Sequence, residues 1–74
     1  MNFVIYGSTV CPYCKKAVNL IDREGHTYDY VNIQKNDQAR EYIKEELSLR
    51  TVPQVFLNGE RIGGYDDLVN FLQE

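Results

Sequence analysis

A chain of 74 residues with 43% apolar side chains has room for one domain built on one core. Its formal net charge of −3, with neither a basic run nor an RNA-type aromatic motif, excludes nucleic acid as a partner. The 2 cysteines are too few for a secreted, disulfide-framed scaffold, and Met1-Asn2 leads straight into a short apolar run with no basic leader or bilayer-length stretch, so no membrane association and a cytoplasmic location are expected.

Residues 3–6 (Phe-Val-Ile-Tyr) predict a first strand. Cys14, Ala17, Val18 and Ile21 then recur at helical spacing, with Leu20 at the edge of that stripe, and predict a helix from Pro12 to Glu24 that Gly25 ends. Residues 27–33 are rich in aromatic and β-branched types and predict a second strand, and strand, helix, strand in that order implies a right-handed crossover and a parallel pair. Asn36-Asp37 offers caps for a second helix, whose apolar face is Ala39, Tyr42, Ile43 and Leu47. Val55-Phe56-Leu57, Asn58-Gly59 and Arg61-Ile62-Gly63 predict a hairpin closed by a type I′ turn. A third helix follows, capped by Asp66, with Leu68, Val69 and Leu72 facing inward. The order βαβ then αββα describes a thioredoxin-like α/β fold, a four-stranded mixed sheet with three helices on its two faces.

Cys11-Pro12-Tyr13-Cys14 stands where the first strand gives way to the first helix. Across two intervening residues, helical geometry sets the two sulfurs about one turn apart on one face, within reach of a disulfide. A ring that small removes little entropy from the unfolded chain, so the pair signifies chemistry and not a structural staple. Pro12 suits the first helical position. Cys11 then occupies the cap, where orphan N–H groups and the positive end of the helix dipole favour its thiolate. Cys11 is the expected nucleophile and Cys14 the resolving thiol. Lys15 and Lys16 either strengthen that field or form an ordinary solvated pair.

Two further segments carry open readings. Thr51-Val52-Pro53 is either a cis-proline loop, whose Val52 backbone could hold a bound peptide like an added strand, or an ordinary trans proline at a strand start. Gly63-Gly64-Tyr65-Asp66-Asp67 is either an anion site with an acidic neighbour, suited to the paired charges of an amino acid, or a simple helix cap. His26, in a polar turn, is read as exposed and structural, and with 2 cysteines and 1 histidine in the chain no zinc site is expected. Tyr28, Tyr30, Tyr42 and Phe71 are assigned to packing, while Tyr6 closes the first strand near the motif.

Cys11-Pro12-Tyr13-Cys14, Thr51-Val52-Pro53 and Gly63-Gly64-Tyr65-Asp66-Asp67, in this order and spacing, resemble the dithiol glutaredoxins over nearly the whole chain. The resemblance implies one domain over residues 1–74, a monomer, and a glutathione-dependent oxidoreductase that uses glutathione as co-substrate and no metal. Its partners would be glutathione and disulfide-containing or glutathionylated proteins, ribonucleotide reductase among the family's clients. On matching positions, Cys11 carries glutathione as a mixed disulfide and Cys14 resolves protein disulfides. Tyr13 lines the glutathione groove, with Thr51 and Gly64 beside it. Val52 pairs its backbone with the cysteinyl unit, Pro53 is cis, and the amides of Tyr65 and Asp66 with the Asp67 side chain hold the γ-glutamyl end. Arg40 reaches the glycine carboxylate. Many members carry Lys or Arg shortly before the first cysteine where this chain has Ser8-Thr9-Val10, which leaves Lys15, Lys16 and Arg40 to compensate. Two other readings stand beside this one: a redoxin that uses the same thiol chemistry but is recharged by a thioredoxin reductase, and, of a different class, a carrier of a glutathione-ligated [2Fe–2S] cluster.

Overall fold

The computed structural model describes residues 1–73. Strand β1 (Asn2–Gly7) follows the alternation of its sequence, with Phe3, Ile5 and Gly7 buried on one face and Val4 and Tyr6 half-buried on the other. It lies inside a four-stranded sheet of order β2-β1-β3-β4. Strand β2 (Thr27–Asn32) runs parallel to it and β3 (Gln54–Leu57) antiparallel, and β4 (Glu60–Gly63) extends β3 as a hairpin. Asn58 and Gly59 both have positive φ, 53° and 83°, as the type I′ turn requires. The β3–β4 register shifts between Val55 and Phe56, which leaves Ile62 without a partner and turns the chain toward the last helix.

Helix α1 (Pro12–Arg23) and helix α3 (Tyr65–Gln73) pack on the Phe3 face. Ala17, Ile21 and Leu68 join Phe3, Ile5 and Val55 there in one buried cluster. Helix α1 stops one residue before the expected Glu24, which becomes its C-cap, and Gly25 takes the left-handed conformation with φ 79°. Gly25 donates its N–H to the Asp22 carbonyl and His26 donates to Ile21, the paired bonds of a Schellman ending. His26 is half-buried, contrary to the expectation of an exposed ring, because this turn sets it edge-on against Phe3 at 5.8 Å.

The second helical segment covers the opposite face. Asn36 caps α2 (Asp37–Glu41) by accepting the Ala39 N–H at 3.0 Å. The chain then widens into a single π turn over Tyr42–Glu46, closed by the Leu47 N–H on the Tyr42 carbonyl at 3.0 Å. Ala39 and Ile43 remain buried, whereas Tyr42 moves to the rim and packs on Tyr6 at 6.1 Å. No helix of the described residues is long and apolar enough to cross a membrane.

Leu68 ties α3 to the sheet and is fully buried. Leu68→Ala should lower unfolding stability by about 2–5 kcal/mol, read as a fall in the urea midpoint with an unchanged denaturant slope.

Candidate active site

The two cysteines sit at the carboxyl end of the parallel pair, where β1 runs into α1. The Cys11 backbone is extended, with φ −94° and ψ 114°, and Pro12 follows at the first helical position. Cys11 caps the helix with its own sulfur: the Cys14 N–H donates to Cys11 Sγ at 3.3 Å. The Cys11 thiol in turn points at the Val52 carbonyl, 3.6 Å away. On ionisation the sulfur gives up that carbonyl contact and keeps the amide donor.

Val52-Pro53 is a cis peptide bond, and the Val52 carbonyl lies beside Cys11. The buried Gln54 side chain fixes the loop from below: its Nε2 donates to the Thr51 carbonyl at 2.9 Å and to Thr51 Oγ1 at 3.2 Å, and its Oε1 accepts from Arg61 at 3.2 Å. Composition gave no signal for this role of Gln54.

The third segment closes the groove. Asp66 does not cap α3 as expected. Gly64 holds that position, with its carbonyl accepting the Leu68 N–H at 3.0 Å, and Asp67 reaches back so that Oδ2 accepts the Gly64 N–H at 3.1 Å. Asp66 lies in the first turn with its side chain exposed. Gly63 has φ 130°, and a Cβ there would run into the Asp67 carboxylate, so the tight approach of strand end to helix start requires glycine.

Tyr13, Thr51, Val52, Pro53, Gly64, Tyr65 and Asp66 together line a groove of about 180 Å³. The Tyr13 and Tyr65 rings lie 5.8 Å apart across it, and the Lys16 ammonium stands 4.9 Å over the Tyr13 ring. Arg40 is not among the residues lining this groove. Its guanidinium pairs with Asp37 at 2.8 Å, in a depression it shares with Glu41, Lys44 and Glu45. Among the described residues, no group of three or more His, Cys, Asp or Glu side chains is arranged to hold a metal ion.

Behind Cys11, Cys14 is 1% exposed. Burial first, and then its hydrogen bond with Cys11, pushes the Cys14 thiol up to about 11, while the Ser8 backbone and the Tyr30 hydroxyl act in the opposite direction. Tyr30, assigned to packing from sequence, also donates its hydroxyl to the Ser8 carbonyl at 2.7 Å. Tyr30 pairs with Ile5 in the parallel register, so its side chain lies on the α1 face near the cysteines, a placement that alternation along β2 leaves open until the register is known.

The raised Cys14 thiol sets the sign of a pH effect. In the unfolded chain it ionises near its ordinary value of 9.0 and in the folded chain near 11, so the unfolded state binds fewer protons between those values. Its contribution is therefore intact below pH 9 and is lost as pH rises through 11. Across that window the parent should lose about 2–3 kcal/mol more stability than Cys14→Ala, measured by denaturant unfolding at successive pH values.

The sequence model of the Glutaredoxin family matches residues 3–62. The chain is 33% identical to Glutaredoxin 1 of Escherichia coli (strain K12) over 81 aligned positions, covering 100% of this chain and 95% of that protein. It is 37% identical to Glutaredoxin 3 of the same organism, covering 90% of this chain and 81% of the relative. Among solved structures, a buckwheat glutaredoxin–glutathione complex superposes with a TM-score of 0.84 at 28% identity, covering 96% of this chain and 67% of that one. The fold, a cysteine pair at a helix start and these relatives agree, and the chain belongs to the glutaredoxin family of thiol–disulfide oxidoreductases.

Proposed function

We propose that the chain is a dithiol glutaredoxin of the Cys-Pro-Tyr-Cys type, reducing glutathione mixed disulfides through Cys11 alone and protein disulfides through Cys11 and Cys14 together. The observation that carries this reading is the placement of the half-exposed Cys11 sulfur 3.6 Å from the Val52 carbonyl, beside a groove that ends at the start of α3, with the buried Cys14 behind it.

In the first step the Cys11 thiolate attacks the glutathione sulfur of a mixed disulfide. A new bond forms between Cys11 and that sulfur, and the protein substrate leaves as a thiolate that takes up a proton. The cysteinyl backbone of glutathione would pair with Val52 as an added strand. Its γ-glutamyl carboxylate would meet the N–H groups of Tyr65 and Asp66 at the α3 N-terminus, and its ammonium the Asp67 carboxylate. Tyr13, Thr51, Pro53 and Gly64 would form the walls. For Arg40 to reach the glycine carboxylate it would leave its exposed pair with Asp37, an interaction weak enough to exchange.

A second glutathione thiolate then attacks the glutathione sulfur bound to Cys11, releasing glutathione disulfide and the Cys11 thiolate. With a protein disulfide, Cys11 forms a mixed disulfide with the protein. Cys14 attacks Cys11, releases the reduced protein, and leaves a Cys11–Cys14 disulfide for two glutathiones to reduce. Ribonucleotide reductase is one candidate among protein clients, and the reducing pool of the cytoplasm is the setting this cycle needs. The cycle uses no metal.

NADPH oxidation coupled through glutathione and glutathione reductase, with a small mixed disulfide as substrate, tests the reading. Cys11→Ser should abolish turnover, Cys14→Ser should retain it for the mixed disulfide and lose it for a protein disulfide, and Asp67→Ala should raise the KM for the mixed disulfide. Turnover that appears only with thioredoxin reductase would reject the glutathione assignment.

A further inference from the structure

The mechanism above leaves Tyr30 unused, yet three observations set it against the resolving cysteine. A Cβ on Gly7 would collide with the Tyr30 hydroxyl oxygen and stand 2.8 Å from Cys14 Sγ, so the phenol and the sulfur converge on one small space that only a glycine leaves open. The hydroxyl is already anchored, donating to the Ser8 carbonyl at 2.7 Å. Cys14 and Tyr30 also line a cavity of about 460 Å³, which shares no lining residue with the groove that holds Tyr13 and Tyr65.

We propose that Tyr30 is a positioning residue for Cys14, its hydroxyl held on the Ser8 carbonyl while Cys14 is a thiol and turned to donate to the sulfur when Cys14 is a thiolate. The proposal rests on the reading of Cys14 as the resolving thiol. That role acts on a mixed disulfide with protein; on the glutathione adduct the same attack is the reverse of disulfide reduction by glutathione, and in it Cys14 loses its proton to solvent and attacks the Cys11 sulfur. The Cys11–Cys14 bond forms, the bond from Cys11 to glutathione breaks, and glutathione leaves as a thiolate that is then protonated. In the reverse half of the cycle Cys14 is the leaving group and carries the same negative charge. A donor that stabilises this charge serves both directions.

Cys14 is 1% exposed, so little water reaches its thiolate and a protein donor must help to stabilise it. Tyr30 is 37% exposed as a residue, but desolvation of its hydroxyl, followed by the neighbouring Cys14, holds the phenol above its ordinary range, so it stays a proton donor while the thiolate forms. The groups facing Cys14 are Cys11 at the cap of its own helix, Tyr30 from β2, and Lys15 and Lys35 on the wall of the shared cavity. The two lysines are exposed and solvated, which leaves Tyr30 and the Ser8 backbone as the donors nearest the sulfur.

The test is the rate at which glutathione is released from a preformed Cys11–glutathione mixed disulfide, followed by rapid quench and mass spectrometry across pH, in the parent chain and in Tyr30→Phe. Loss of one hydrogen bond to a thiolate should slow release about tenfold at a given pH and displace the rate–pH profile upward by about one pH unit. An unmoved profile, at the same rate or lowered uniformly, overturns the proposal and leaves Tyr30 a packing residue. Failure of the parent to release glutathione at all overturns the resolving role of Cys14 itself, and this proposal with it. Should Tyr30→Phe not fold, 3-fluorotyrosine at position 30 keeps the ring and hydroxyl with a more acidic proton. Its profile should then move downward, and an unmoved one again overturns the assignment.

Discussion

Everything in this site depends on one hydrogen bond, from the Cys14 N–H to the Cys11 sulfur. A side chain that caps a helix is normally an oxygen whose only task is to satisfy an orphan amide. Here the cap is the reactive atom, so the geometry that starts α1 also orients the nucleophile. Pro12 contributes a fixed φ and no competing donor. The spacing that makes Cys14 the partner of the cap also puts its sulfur one turn further in, where β1 and β2 shut out water.

The remaining parts reach this atom through the sheet. Because β1 lies between β2 and β3, the loop after β1 faces the end of β2 on one side and the start of β3 on the other. The Ile33 N–H donates to the Gly7 carbonyl at 2.9 Å and Asn32 Nδ2 to Thr9 Oγ1 at 2.6 Å, which secures the approach to the cysteines from the β2 side. From the β3 side comes Val52, and the hairpin returns the chain so that Tyr65 meets Tyr13. Three segments far apart in sequence thereby form one surface, as expected at the carboxyl end of a parallel strand pair.

Much of this was legible in the residues because their roles are local. The thiol cap followed by proline, Gly25 after α1, Asn36 before α2 and Asn58-Gly59 in the hairpin each dictate a backbone conformation within a few residues, and each took it. What was not legible depended on competition or on distance. Asp66 is the cap the sequence suggests for α3, and the reach of Asp67 back to the Gly64 amide sets the start at Gly64 instead. Helical spacing gave Tyr42 and Ile43 one face, and a π turn separated them. Tyr30 and Gln54 act across strands and loops, so their partners emerge only once the register is known. Whether a proline is cis is likewise set by its tertiary surroundings.

Gln54 also bears on how quickly and how selectively the groove can be filled. Its amide holds Thr51 on one side and Arg61 on the other, so the loop above it is fixed before any ligand arrives. A strand that docks on Val52 finds the carbonyl already aimed and has no flexible segment to order, which spares the complex the entropy that pliable peptide-binding loops lose on association. Such a surface discriminates by shape at first encounter: a ligand whose backbone matches the template is held, and one that does not cannot induce the template to follow it.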